Sequence, residues 1–314
     1  MRKRERRKEI PLSFAQRRLW FLHCLEGPSP TYNIPVVVHL TGRLDQEALT
    51  AALGDVAARH EPLRTIFPDQ QGTTHQLILE ADQARPELAV SHVSEHDLEK
   101  VLAEAVRHRF HLEKEPPFRA QLIVLGPDKF VLLLLLHHMI GDGWSLTPLT
   151  RDLETAYNAR LNGEAPAWEP LSIQYADYAV WQEHLLGSEN NPDSLIAKQL
   201  GYWSKALEHL PDQLELPTDH PRPSESSYRG GTIDLSIDEQ LHGRLLGLSR
   251  STGVSMFMIL QSALASLLTR LGAGHDIPLG SPIAGRNDDA LGGIVGLFVN
   301  TLVLRTCLLY TSPS

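Results

Sequence analysis

Residues 130–136 read Phe-Val-Leu-Leu-Leu-Leu-Leu, the longest apolar run in the chain. It constrains the fold more than any other stretch. Seven residues fall far short of the roughly 20 that a membrane-spanning helix needs. A short run without polar alternation fits a strand buried on both faces. Gly126-Pro127-Asp128 stands just before it, and residues 120–124 before that, Ala-Gln-Leu-Ile-Val, are mostly apolar, which predicts a hairpin.

Other elements follow from local pattern. Residues 31–40, rich in Val and Ile after a Gly-Pro-Ser-Pro cluster, predict a strand, and residues 63–67 a second short one. Helical spacing of Leu49, Leu53 and Val56 predicts a helix over 45–59. Further helices are predicted over 145–161 (with Pro148 in the first turn), 195–207, 237–251 and 255–270. Strands are expected at 277–280 and 297–304. Strands and helices mix in both halves, so the expected class is α/β (or α+β) in two lobes. A connector, Gly-Ser-Glu-Asn-Asn-Pro, begins at residue 187 and sets the expected boundary: a first lobe over 10–186 and a second over 187–306. A length of 314 residues accommodates two such lobes.

Two cysteines, Cys24 and Cys307, supply neither a disulfide framework nor a Cys-based zinc site. With no apolar segment behind the charged N-terminus, there is no secretory signal pattern. Together these point to a protein of a reducing compartment, the cytoplasm. Net charge is −9 and uneven: residues 1–9 form a basic tail whose first eight residues carry +5, which leaves −14 on the rest. An acidic body lacks the footprint of a nucleic-acid groove, and the tail reads as a solvated terminus. Residues 307–314, Cys-Leu-Leu-Tyr-Thr-Ser-Pro-Ser, break the preceding pattern and resemble translated read-through of a sequencing adapter. On that reading the native sequence stops near Thr306 and the second lobe is incomplete.

Directly after the apolar run come His137-His138-Met139-Ile140-Gly141-Asp142-Gly143. A strand leaving the core delivers these histidines to a rim that a substrate can reach. Successive strand side chains point to opposite faces, so one histidine faces a channel and the other packs. Imidazole, with an ordinary pKa of about 6.5, can accept a proton at neutral pH. A carboxylate four residues later can be a second base or an orienting group held in an ion pair. Gly143 leaves room for a ligand to approach the backbone. A metal would need more ligands than two histidines on opposite faces supply, so none is expected.

The pattern His-His-x-x-x-Asp-Gly resembles the signature of the condensation domains of nonribosomal peptide synthetases and of related acyltransferases. Further segments are similar to the family's motifs, in family order. They begin with Ser13-Phe-Ala-Gln-Arg-Arg-Leu-Trp-Phe-Leu22 and Tyr32-Asn-Ile-Pro35. Arg59-His-Glu-Pro-Leu-Arg-Thr-Ile-Phe67 follows, then Asp142-Gly-Trp-Ser145 and Tyr175-Ala-Asp-Tyr-Ala-Val-Trp181. Tyr228-Arg-Gly-Gly231, Ser281-Pro-Ile-Ala-Gly-Arg286 and Gly296-Leu-Phe-Val-Asn-Thr301 complete the series. The resemblance covers residues 10–305.

It implies two chloramphenicol acetyltransferase-like lobes in a V, with an active-site tunnel between them. It further implies amide formation, in which a carrier-bound aminoacyl amine attacks a thioester on an upstream carrier. His138 becomes the active-site histidine, as general base or as positioning group. Asp142 becomes structural, paired with Arg64, with His137 and Gly143 as motif support. Trp144 and Ser145 are expected to pack and cap a helix, or to border the channel. Tyr175, Asp177, Arg286 and Asn300 are expected to serve packing and hydrogen bonding between the lobes, and Gln16 and Arg17 to be structural.

No directly bound cofactor is implied, since the substrates arrive on the phosphopantetheine of donor and acceptor peptidyl carrier domains. An adjacent adenylation domain is the other implied partner, and neither nucleic acid nor membrane is. Asp-Gly-Trp-Ser and Tyr-Asn-Ile-Pro look most like the subtype joining an L-donor to an L-acceptor. Two alternatives remain: a stand-alone acyl-CoA-dependent acyltransferase and a non-catalytic docking domain of a synthetase.

Overall fold

The computed structural model describes residues 9–70, 72–221, 223 and 230–308. The basic segment 1–8, residues 228–229 of the Tyr-Arg-Gly-Gly segment and the end of the adapter-like stretch, 309–314, lie outside these. In chain order the elements are α1 (Phe14–Glu26), β1 (Asn33–Thr41), α2 (Gln46–Arg59), β2 (Thr65–Ile66), β3 (Asp69–Gln70), β4 (Thr73–Thr74), β5 (Leu77–Ile78) and β6 (Leu88–His92). Then come α3 (Leu98–Ala105), β7 (Phe118–Gly126), β8 (Lys129–His137), α4 (Leu146–Leu161), α5 (Tyr175–Leu186), α6 (Leu195–Ala206), α7 (Glu239–Thr252), α8 (Met256–Arg270), β9 (Asp276–Ile283) and β10 (Asn300–Cys307).

Strand β8 is the predicted buried strand: Phe130 through His137 are all buried. It lies inside a four-stranded sheet of order β1-β8-β7-β6. Its partners β1 and β7 are antiparallel to it, with Asn33 opposite His137 and Phe118 opposite Leu136. Strand β6 runs parallel to β7. Helix α2 buries Leu49, Leu53 and Val56 in the core that also holds Leu122, Leu132, Leu134 and Leu136. Pro35 sits on β1, an edge strand, where its missing N–H removes no ladder bond.

Two compact units result, Met1–Ala197 with Ala284–Asn300, and Lys198–Ile283 with Thr301–Ser314. The expected boundary at 187 therefore differs from the observed grouping, because residues 187–197 and 284–300 cluster with the first unit. In the second unit, β9 pairs with β10, and a small core of Ala265, Ala273 and Ile277 forms beneath α8.

Three local differences from the sequence reading have physical causes. The strand expected at 63–67 shrinks to Thr65–Ile66 because residues 61–64 coil into a 3-10 turn with Pro62 in its first turn. The strand expected from 297 begins at Asn300, because the N–H groups of Phe298 and Val299 are taken by a side-chain carboxylate. Helices α1 and α5 occupy two of the motif segments, for which the sequence pattern predicts no helix. Strand β10 continues through Cys307, and the Leu308 N–H donates to the His275 carbonyl at 2.9 Å.

A second buried carboxylate anchors the start of the Arg59–Phe67 segment. Asp152 on α4 accepts from Arg59 Nε at 2.7 Å and Arg151 Nε at 3.0 Å, and its Oδ2 lies 2.9 Å from His60 Nε2. Burial pushes its carboxyl up, but the hydrogen bonds from His60, Arg59 and Arg151 outweigh this and hold it at about 2. Burial lowers the pKa of His60.

Candidate active site

The two histidines part ways at the end of β8. His137 is 4% exposed, and its Nδ1 accepts the Met139 N–H at 3.1 Å. Its ring meets Tyr32 and Phe110 edge-on, each with a centroid distance of 6.2 Å. Burial, with smaller contributions from His23 and His138, pushes its pKa down to about 3. His137 is therefore neutral at working pH and packs. His138 is half-buried, and its backbone N–H donates to the Tyr32 carbonyl at 2.8 Å, extending the strand register one residue past β8. Helix α1 holds the loop that follows, through Gln16 Nε2 to the Met139 carbonyl at 3.1 Å.

Asp142 is fully buried, and each carboxylate oxygen is engaged. Oδ1 accepts from Ser145 N at 3.0 Å, Ser145 Oγ at 2.9 Å and Arg286 Nη2 at 3.2 Å. Oδ2 accepts from Phe298 N at 2.9 Å and Val299 N at 3.2 Å. Five donors occupy the acceptor positions of this carboxylate, which ties the histidine loop to Phe298 and Val299.

The ion-pair partner corrects the sequence expectation. Asp142 pairs with Arg286, not with Arg64. Arg64 ends the 3-10 turn before β2, and its guanidinium is drawn to the Leu79 carbonyl just past β5. The Leu79 N–H returns a bond to the Arg64 carbonyl at 2.9 Å. Arg286 is fixed in turn by the Leu291 and Ile294 carbonyls and lies over the Phe298 ring, 4.2 Å from its centroid. The sequence marked Arg286 only as a motif residue, and 144 positions separate it from Asp142. Nothing local could have joined them.

Ser145 is the N-cap residue of α4, and its hydroxyl accepts the Asp142 N–H at 3.1 Å in a capping box with Asp142 around the 3-10 turn Gly143–Ser145. The same hydroxyl also lies 2.9 Å from the Gly296 carbonyl and 3.1 Å from the Gly296 N. Trp144 is 49% exposed. A Cβ on Gly143 would meet nothing within 4 Å, whereas one on Gly296 would strike the Tyr175 ring at 2.1 Å. Gly296 thus permits the close approach that brings its backbone to Ser145.

Tyr175 is fully buried, and its hydroxyl donates to the Leu297 carbonyl at 2.6 Å and lies 2.7 Å from Ser13 Oγ. Burial raises its pKa well above the ordinary phenol value. Asp177 accepts the Gln174 N–H at 2.8 Å at the start of α5, and Asn300 accepts from Arg18 at 3.3 Å. Tyr175 thus belongs to the same support as Asp142, while Asp177 and Asn300 lie outside it. Among the described residues, no three His, Cys, Asp or Glu side chains converge on a metal position. No single helix there is long and apolar enough to cross a membrane.

A half-buried histidine and a buried carboxylate saturated with donors thus follow the buried strand of a mixed sheet. The comparisons give the class. The family model described as Condensation domain matches residues 6–310. A dimodular nonribosomal peptide synthase of Bacillus subtilis is 65% identical over 98% of this chain, which spans 13% of that protein. The crystal structure of the X-domain from teicoplanin biosynthesis superposes with a TM-score of 0.91 at 39% identity, covering 98% of this chain and 68% of that one. The complex of that X-domain with OxyB gives the same TM-score at 38% identity, covering 98% and 67%. The chain belongs to the condensation-domain family, acyltransferases whose general reaction is formation of the peptide bond in nonribosomal synthesis, on the chloramphenicol acetyltransferase-like fold.

Proposed function

We propose that this chain joins two carrier-bound acyl groups within a larger synthetase, with His138 as the residue that meets the reacting amine. The acceptor amine nitrogen forms a bond to the donor thioester carbonyl. The C–S bond breaks, the thiol leaves on the donor's pantetheine arm, and the amine proton passes to that sulfur. An α-amine has a pKa near 8, so part of it is already neutral at pH 7. His138 takes up the proton as attack proceeds, or orients the amine and steadies the tetrahedral species. General-base help is worth about 10²–10⁴-fold.

The observation that carries this reading is the division of labour in the motif. His137 and Asp142 are buried and committed to protein partners, which leaves half-buried His138 to meet a substrate. Asp142 and Arg286 hold the loop. The substrates are proposed to arrive on donor and acceptor peptidyl carrier domains, with an adenylation domain as neighbour, and Asp142-Gly-Trp-Ser145 supports the L-donor to L-acceptor subtype. Two free cysteines fit a reducing, cytoplasmic setting.

The likeness to the X-domain, crystallised with OxyB, favours a second reading, a docking domain without catalysis. The intact pair of histidines with Asp142 and Gly143 supports condensation instead. The experiment supplies both loaded carriers to the complete protein that contains this chain and looks for dipeptidyl thioester by intact mass spectrometry. Wild type gives dipeptide and His138→Ala little. Acylation from acyl-CoA alone would move the reading to a stand-alone acyltransferase, and no product with any loaded pair would move it to docking.

A further inference from the structure

Gln16 is the third residue of α1 and is only 1% exposed, although glutamine is a residue that mostly stays in water. Its side-chain amide is divided between two tasks. Oε1 accepts the Ser13 N–H at 3.0 Å while the Gln16 N–H donates to Ser13 Oγ at 3.1 Å, which closes the capping box of α1. Nε2 donates to the Met139 carbonyl at 3.1 Å, 123 positions along the chain.

The two tasks ask for different chemistry. A capping box is closed by Glu as well as by Gln, because the helix start uses only an acceptor oxygen of that side chain. The Met139 carbonyl can only accept, so it needs a donor facing it. An ionised glutamate at position 16 would set a second acceptor against it. The helix tolerates either residue, whereas the loop after β8 requires the amide.

That loop carries His138, and its other bonds come from the strand side. The His138 N–H donates to the Tyr32 carbonyl at 2.8 Å, and the Met139 N–H to His137 Nδ1 at 3.1 Å. The Ile140 N–H closes a turn onto the His137 carbonyl at 3.1 Å. Gln16 grips the same turn from a helix, one residue beyond His138. The helix is itself fixed: Ser13 Oγ lies 2.7 Å from the Tyr175 hydroxyl, and the Phe14 N–H donates to Gln182 Oε1 at 2.9 Å, both on α5.

We propose that Gln16 is a positioning residue for the reaction: through the Met139 carbonyl it sets the angle at which the turn presents His138 to the acceptor amine, and this needs an amide rather than a carboxylate. This rests on the condensation reading above. A displacement of about 1 Å at a reacting group can cost about 10²-fold in rate, so the quantity at stake is kcat rather than substrate binding.

The test uses the complete protein that contains this chain, with both loaded carriers, and reads dipeptide formation against carrier concentration beside thermal melting. Gln16→Glu keeps the acceptor for Ser13 and loses the donor to Met139. Its kcat falls about tenfold or more, while KM for each carrier stays within about twofold of wild type. Gln16→Met, uncharged and of similar length, shows a loss in the same direction and decides the question if the glutamate variant does not fold. Gln182→Ala loosens α1 at Phe14 without touching Met139, and its kcat stays within about twofold of wild type even where its melting temperature drops.

A kcat within about twofold of wild type in the folded Gln16 variants would overturn the proposal. So would an equal loss in Gln182→Ala, which would make the anchoring of α1 the cause, or a raised KM at unchanged kcat, the mark of a side chain that binds substrate. Absence of dipeptide from wild type, or full activity of His138→Ala, would strike the condensation reading itself and the proposal with it.

Discussion

Helices α2 and α8 carry similar apolar stripes and meet different fates. In α2, seven of fourteen residues are buried, among them Leu49, Leu53 and Val56 against the sheet. In α8, Ala265 is the one buried residue, while Phe257, Met258, Leu264 and Leu267 are each 45–55% exposed. Both stripes have helical period. Period records that a face is able to be buried, and burial itself depends on a layer to cover it. The first unit has that layer in its four-stranded sheet, while the second, among the described residues, packs α8 over a core of three small or medium side chains.

The sharpest way to break this comparison is at the polar centre of the first unit. Asp142→Ala leaves Arg286 and the Phe298 and Val299 N–H groups without their acceptor, and loss of one member of a buried pair costs about 3–5 kcal/mol. Hydrogen exchange of the β8 amides reads the loss, and a lower yield of folded protein accompanies it. A soluble, well-protected and inactive variant would instead give Asp142 a direct chemical role.

Leu53→Ala comes next, at roughly 3 kcal/mol for a fully buried leucine. The matching change in the second unit, Leu264→Ala, stays within about 0.5 kcal/mol. Equal effects would show that α8 is covered in solution.

Acid sharpens the contrast through several groups of the first unit, His137 and Asp152 foremost, with His60 and His108, both lowered by burial, adding to the histidine slope. His137, held at about 3, stays neutral in the fold while the unfolded chain takes up a proton below its ordinary pKa near 6.5. Stability of the first unit therefore falls as pH drops from about 6.5 toward 3. Asp152, held at about 2, contributes stability that is present above about 3.9 and is lost as pH falls toward 2. His137→Phe flattens the upper of these slopes in urea midpoints measured against pH, and an unchanged slope would show that His137 is not responsible. The smallest structural effect is at Gly143: Gly143→Leu enters open space, so melting shifts little while dipeptide formation falls.

The sequence showed most of the scaffold, because its signals were local. The apolar run of β8, the hairpin before it and the stripes of α2, α4, α7 and α8 all declared themselves within a few residues. The place of His138, just past the end of a buried strand, was legible for the same reason. The partner of Asp142 was not legible. The resemblance implied Arg64, but several motif arginines, Arg286 among them, are equally eligible by charge, and only tertiary placement decides between them. The late start of β10 was hidden too, since a side-chain carboxylate in place of a ladder leaves no mark in hydrophobic pattern.

The bonds from Phe298 and Val299 to Asp142 span 156 and 157 residues. During synthesis at about 5–20 residues per second, the strand that carries the histidines is therefore complete many seconds before the segment that fixes its loop has been made. Through that interval the carboxylate of Asp142 keeps its water and the loop after β8 stays unlocked. The geometry of this loop is set late, by the arrival of residues 286–299, so the order of translation becomes the order in which the proposed site is assembled.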